Sequence, residues 1–289
     1  MLMTVLTSAS ALLAYCAPTQ AQDQDPALCE EKLISYLHWK ETPTTAWSLH
    51  ITAKSGGNLQ YIGVTHSDDA TDCQFQHIKQ AWETQKPTIA FFEGPDRGIA
   101  ASETETIEKF GESGFVRYLA KASGIKTRTL EPGPQEEAEY LLSLGKFTLE
   151  QIKLFYILRE ASRLRDRKGM DKEQIKEAVS QLLPKVNQLI PALAGVLPDT
   201  AFLQPAFKKY WAAPSEWWQA PAAWFDPLKN SAETGGKFTN EINSRSSEFR
   251  NLHMYRLLTN AVLRGEKVLA VVGRNHVPMQ AQAIRCALQ

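Results

Sequence analysis

Val268 to Val272 is an unbroken aliphatic run, closed by Gly273 and followed three residues later by His276. A strand with one face in water alternates apolar and polar side chains. A run with no alternation reads instead as a strand buried on both faces, as in the parallel sheet of an α/β protein, and helices must then cover both sides. The segment Leu59 to His66 repeats the construction, with Gly63 three residues before its histidine. With six histidines and sixteen glycines in 289 residues, one Gly-x-x-His is roughly a one-in-three accident of composition. Two, each on a strand-like run, form a pattern. Each glycine is expected to turn the backbone off its strand at φ values closed to other residues. The histidines are thereby delivered to the carboxyl edge, where open α/β sheets bind ligands.

Between the two motifs the chain supplies further strands and their crossovers. Thr71 to Gln85 has Phe75, Ile78 and Trp82 at helical spacing and stops at Pro87, after which Thr88 to Phe92 is a second short apolar run. Strand, helix, strand over so few residues makes the two strands parallel. His66 and Glu93, which follow them, must therefore emerge at one edge. The turn Gly94 to Gly98 places Arg97 four residues after Glu93, where it is expected to fix the charge of that carboxylate.

Thr104 to Ala122 reads as a helix with a break near Gly111 and Gly114, and Ile125 to Leu130 as another strand. Helices are expected over Gln135 to Ser143, Leu149 to Arg165, and Lys172 to Asn187, the last interrupted near Pro184. From Pro191 to Asp226 repeated prolines punctuate eight aromatic residues, among them Trp211, Trp217, Trp218 and Trp224. That composition suits a packed flap, with a substrate-lining lid as the alternative. A helix over about Asn240 to Leu263, carrying Arg250 and His253, feeds the last strand and makes it parallel too. His276 then joins His66 and Glu93. The expected fold class is mixed α/β, with a central, largely parallel sheet flanked by helices. A helical, aromatic and proline-rich insertion over about residues 135–235 separates the early strands from the last, within one domain spanning 22–289.

The formal net charge is zero, which argues against a nucleic-acid partner. The basic group Arg163, Arg165, Arg167 and Lys168 ends a helical pattern, where cations meet the helix dipole favourably. Residues 1–21 are apolar, uncharged and end on Ala21, as a cleaved signal peptide does, too short for a comfortable membrane span. A lipoprotein anchor at Cys16 is the weaker alternative because Tyr15 is bulky. Export to the periplasm or medium leaves Cys29, Cys73 and Cys286, enough for one disulfide and one thiol. Neither a Gly-x-Ser-x-Gly elbow, nor His-Glu-x-x-His, nor a phosphate loop occurs.

The ordered set Gly63 to His66, Glu93 to Arg97, Arg250 to Met254 and Gly273 to His276 resembles the TraB/PrgY/GumN/Tiki family, within the wider group of erythromycin esterases and ChaN-like proteins. The resemblance implies catalytic roles for His66, Glu93, Arg97, Arg250 and His276, with His66, Glu93 and His276 as ligands of a divalent ion such as Mn, Co or Zn. It implies a metal-dependent peptidase acting on peptide, protein or small ester-like substrates. A metal-free esterase using a histidine base and a haem- or ligand-binding protein are the alternatives. Two residues depart from the family pattern: Arg274 is expected to narrow the site and Asp68 to add a ligand.

Overall fold

The computed structural model describes residues 26–41 and 46–289. The leader, with Cys16, lies outside the described residues. A 3-10 segment (Pro26–Lys32) and α1 (Tyr36–Glu41) precede β1 (Ser48–Thr52) and β2 (Asn58–Val64). Then come α2 (Cys73–Gln85), β3 (Ile89–Phe92), α3 (Glu103–Ser123) and β4 (Lys126–Thr129). A helical region follows, comprising α4 (Pro134–Ser143), α5 (Leu149–Lys168), α6 (Lys172–Leu189), α7 (Leu203–Tyr210) and α8 (Ser231–Thr234). The long α9 (Thr239–Leu263) leads to β5 (Lys267–Gly273) and α10 (His276–Leu288).

The sheet order is β1-β2-β5-β3-β4, with β1 antiparallel to β2 and every other pair parallel. The expected parallel sheet is present, and the antiparallel edge strand β1 is an addition to it. The strands before and after α2 are parallel, but β5 lies between them, so the last strand is the central one. Its residues are divided between the two faces of the sheet. Val268, Ala270 and Val272 pack with Tyr61 against Met254, Tyr255 and Leu258 of α9 and Ile284 of α10. Leu269 and Val271 pack with Ile78 and Trp82 of α2 and Phe115 and Val116 of α3. Full burial of each such aliphatic side chain contributes about 1.5–3 kcal/mol, so the unalternating run is what holds the two layers to one sheet.

Three sequence expectations need correction. Neither Gly63 nor Gly273 adopts a positive φ; the first lies within β2 and the second ends β5. What those positions lack is room. A β-carbon at 63 would lie 2.7 Å from the Arg274 Cα and 2.8 Å from the Trp47 carbonyl oxygen. Secondly, α6 runs through Pro184 without interruption, because Pro184 is on the solvent face while Leu183 and Val186 are buried on either side of it. Thirdly, Arg274 does not narrow a site. It is exposed, with its guanidinium 5.2 Å from the Trp47 ring centroid.

The helical region has its own apolar cluster, in which Leu154, Leu158, Ile175 and Val179 meet Phe207, Trp211, Trp217 and Trp224. Trp211 and Trp224 stack at 4.8 Å, and their indole N–H groups donate to the Gly235 and Thr234 carbonyls. The aromatic segment is packed structure. The N-terminal 3-10 segment is joined to α10 by the disulfide Cys29–Cys286, leaving Cys73 free and exposed. Among the described residues no helix is long and apolar enough to cross a membrane.

Candidate active site

The pairing of Val64 with Gly273 and of Phe92 with Val271 brings the carboxyl ends of β2, β5 and β3 level. His66 stands two residues beyond β2, Glu93 immediately beyond β3, and His276 opens α10. The structure brings these three together around Gly273. Glu93 Oε1 is 3.5 Å from His276 Nε2, and Glu93 Oε2 accepts the Gly273 N–H. A β-carbon on residue 273 would stand 3.2 Å from Glu93 Oε2 and 3.3 Å from His66 Nε2. Glycine at 273 lets a carboxylate and an imidazole close over the backbone at this distance, and a larger residue would push both back by a few tenths of an ångström.

Arg250, from α9, supplies the cation of the site. Its guanidinium donates to Glu93 Oε1 at 2.9 Å and to both oxygens of Glu131, at 2.8 and 2.6 Å. Arg97, expected in that role, instead lines the cleft and makes no hydrogen bond or ion pair among the described residues. The partner of Glu93 came from a distant helix because the turn after β3 carries Arg97 outward, where it is exposed. Burial alone would raise the Glu93 carboxyl, but His276, Arg250 and the Gly273 N–H override it and hold it well below the usual carboxylate range. Burial likewise opposes the charge on Arg250, and Glu131 followed by Glu93 more than restores it.

Both histidines are oriented through Nδ1. Glu112 hydrogen-bonds His66 Nδ1, and its side chain is only 7 % exposed. A carboxylate only accepts, so Nδ1 carries the proton and, in the neutral ring, Nε2 presents its lone pair. The hydrogen bond that His66 donates to Glu112 is the main influence on this ring, raising its pKa against the lowering effect of burial. Glu112 is delivered by a kink: α3 breaks at Gly111, with φ 58° and ψ −152°, and there the Ser67 carbonyl leaves no space for a larger side chain. The next residue, Ser113, donates to the Glu93 carbonyl. His276 Nδ1 lies 2.7 Å from Asn251 Oδ1, which also accepts from Gln280 Nε2 at 3.0 Å. His276, Asn251 and Gln280 are all buried. With the Asn251 oxygen so placed, His276 donates from Nδ1, and Nε2 faces Glu93, whose carboxylate it stabilises when it carries a proton as well.

Comparison with protein families, characterised proteins and solved structures finds no match for this chain.

The cleft beside these groups has a volume of about 560 Å³. Its walls include His66, Asp68, Glu93, Glu112, Arg97 and Arg167. His276 and Arg250 lie behind Glu93 and are not part of the lining. His253 is elsewhere, in a shallow groove with Tyr140 and Phe249, and neither Trp217 nor Trp218 reaches the cleft.

The donor types suit a divalent ion. Each imidazole is held through Nδ1 with Nε2 left for coordination, the arrangement that orients metal-bound histidines. The 3.5 Å between Glu93 and His276 matches the separation of two ligands on one small ion, about 3.3–3.6 Å. The groups also carry three carboxylates, Glu93, Glu112 and Glu131, against the single Arg250 cation. As placed, the set does not close on one point: among the described residues no three His, Cys, Asp or Glu groups are assembled to hold an ion. Both Glu93 oxygens are engaged, by Arg250 and by the Gly273 N–H.

Glu112 and Glu131 were not among the residues singled out from the sequence. Glu131 follows the strand-like run ending at Leu130, just as Glu93 follows Phe92, so the same edge argument applies to it. Glu112 was marked only by the expected break at Gly111.

Proposed function

We propose that this chain is an exported hydrolase that cleaves peptide or small ester-like bonds in the cleft at the carboxyl edge of its sheet. The observation that carries this reading is the Glu112-held His66, its Nε2 beside Glu93 and open to the cleft. Histidine oriented by a carboxylate is suited to take a proton from an attacking water, because the carboxylate stabilises the imidazolium that forms. Glu93, kept ionised by His276 and Arg250, lies on the same side of Gly273 and adds to that stabilisation. Buried Asn251 keeps His276 from rotating away from Glu93.

A divalent ion of the Mn, Co or Zn kind, held by His66, Glu93 and His276, would supply a polarised water and a Lewis acid. His66 is then a ligand. Without an ion the same ring is the general base. The motif resemblance to Tiki-type peptidases supports the first, and the engagement of both Glu93 oxygens by protein donors supports the second. The charged walls of the cleft favour a hydrolase over a haem-binding protein, which needs apolar surface around the macrocycle. Export is supported by the leader sequence and by the Cys29–Cys286 disulfide.

The test is incubation of purified mature protein with peptide and p-nitrophenyl ester mixtures, with products read by mass spectrometry. Elemental analysis and a chelator arm accompany it. Cleavage lost on chelation and restored by one ion assigns His66, Glu93 and His276 as ligands; cleavage indifferent to chelation assigns His66 as base. No cleavage, together with stoichiometric haem, would overturn the hydrolase reading.

A further inference from the structure

The cleft walls hold four acids and four Lys or Arg cations, but the cations differ in whether they are already paired. Arg117 is buried, bonded to Asp96, and 5.1 Å from the Phe92 ring centroid. Lys109 pairs with Glu105. Arg97 and Arg167 also line the cleft, and neither makes a hydrogen bond or ion pair among the described residues. Both are exposed. The carboxylate nearest Arg97 in sequence, Asp96, is turned to Arg117 and to the Gly98 N–H. On α5, Arg163 and Arg165 pair with Glu160 and Asp166, whereas Arg167, one turn from Arg163, faces the cleft. Two arginines from separate elements, the turn after β3 and the end of α5, thus line one cavity. Against them stands one unpaired lining acid, Asp68.

We propose that Arg97 and Arg167 form a carboxylate-recognition subsite, so that the preferred substrates carry a free carboxylate near the bond to be cleaved. This rests on the hydrolase reading and names its substrate class. Guanidinium groups match carboxylates through paired N–H donors. They also offset the repulsion that an anionic substrate meets from ionised Glu93. The carboxylate has two sources, a peptide C-terminus or an acidic side chain.

Matched peptide libraries distinguish them, each made with a free or amidated C-terminus and with Glu or Gln at internal positions. Wild-type protein is expected to cleave one carboxylate-bearing form at least tenfold faster than its neutral match, and the form preferred identifies the source. In the double variant R97Q/R167Q that ratio is expected to fall to about twofold or less. Equal rates in wild type, or a ratio unchanged in the variant, would overturn the subsite. A second arm measures fluorescence anisotropy of the same labelled peptides on the H276Q variant. Carboxylate-selective binding without turnover by wild type would leave the subsite standing while the hydrolase reading fails. Turnover without selectivity in either arm would do the reverse.

Discussion

Glu93, just beyond β3 in the wall of the cleft, and His276, at the start of α10 behind it, face each other at 3.5 Å. Each has its other polar atoms committed, Glu93 to Arg250 and Gly273, and His276 to Asn251. On the proposed hydrolase reading, this pair acts as one unit with His66. The single variants H66Q, E93Q and H276Q are each expected to lose at least about 100-fold in kcat. Double variants should add little, since residues acting together are not additive. The stability cost will be unequal. E93Q sets an amide donor against either Arg250 or the Gly273 N–H, costing about 1–3 kcal/mol. H66Q costs less because that side chain is 67 % exposed. Steady-state kinetics with urea unfolding of wild type and the six variants checks this; additive losses would break the unit apart.

On the same reading, Glu112 sets where the acid limb of activity falls. Its hydrogen bond raises the His66 pKa from the ordinary 6.5, and Nε2 is available only when the ring is neutral. Activity should therefore fall as pH drops through a midpoint above 6.5. In E112Q the amide cannot favour the imidazolium in the same way, and the midpoint should move to lower pH while turnover on the plateau declines. A pH profile of kcat/KM for both proteins decides it. An unshifted midpoint would mean that His66 does not set the limb.

Gly273 offers a test of space without touching a functional group. G273A would place a β-carbon 3.2 Å from Glu93 Oε2 and 3.3 Å from His66 Nε2, so both side chains must retreat by a few tenths of an ångström. Misplacement on that scale affects catalysis far more than packing. The expected outcome is a loss of about 10- to 100-fold in kcat, with unfolding free energy reduced by about 1 kcal/mol. Normal turnover in G273A would show that the crowding at this residue has no part in the chemistry.

How much of this was legible beforehand depended on how local the cause was. The buried central strand was readable because Val268 to Val272 has no polar alternation, and the convergence of His66, Glu93 and His276 followed from parallel connections. β1 was missed because Leu49 and Ile51 alternate with Ser48, His50 and Thr52, too short and too polar a stretch to stand out. The glycines were recognised for the wrong reason, since sequence shows flexibility but not which atoms crowd a position. Arg97 was assigned to Glu93 because it is four residues away, whereas Arg250 reaches Glu93 from α9. The order of strands in the sheet, which puts β5 between β2 and β3, decides such partnerships and is not local information. Pro184 reads as a break, yet its ring lies on the solvent side of a helix anchored by buried neighbours.

The depressed carboxyl of Glu93 also predicts how the protein responds to acid. Its folded pKa lies below the ordinary value of 4.5, so as pH falls the unfolded chain takes up the proton first. The stabilisation from Glu93 is then fully present above about pH 4.5 and is lost as pH drops from there toward the folded value. His66 works in the opposite sense: its raised pKa stabilises below the ordinary 6.5 and that contribution disappears as pH rises through the folded value. Asp96 and Asp166 are also held low, but they are common to wild type and E93Q and cancel in a comparison. Unfolding free energy measured in urea from pH 7 to pH 3 should fall more steeply below pH 4.5 in wild type than in E93Q. The difference in slope is bounded by one proton, about 1.4 kcal/mol per pH unit. Parallel curves would mean that Glu93 is not ionised by its partners in the folded state, and the charge arrangement drawn for His276 and Arg250 would then be wrong.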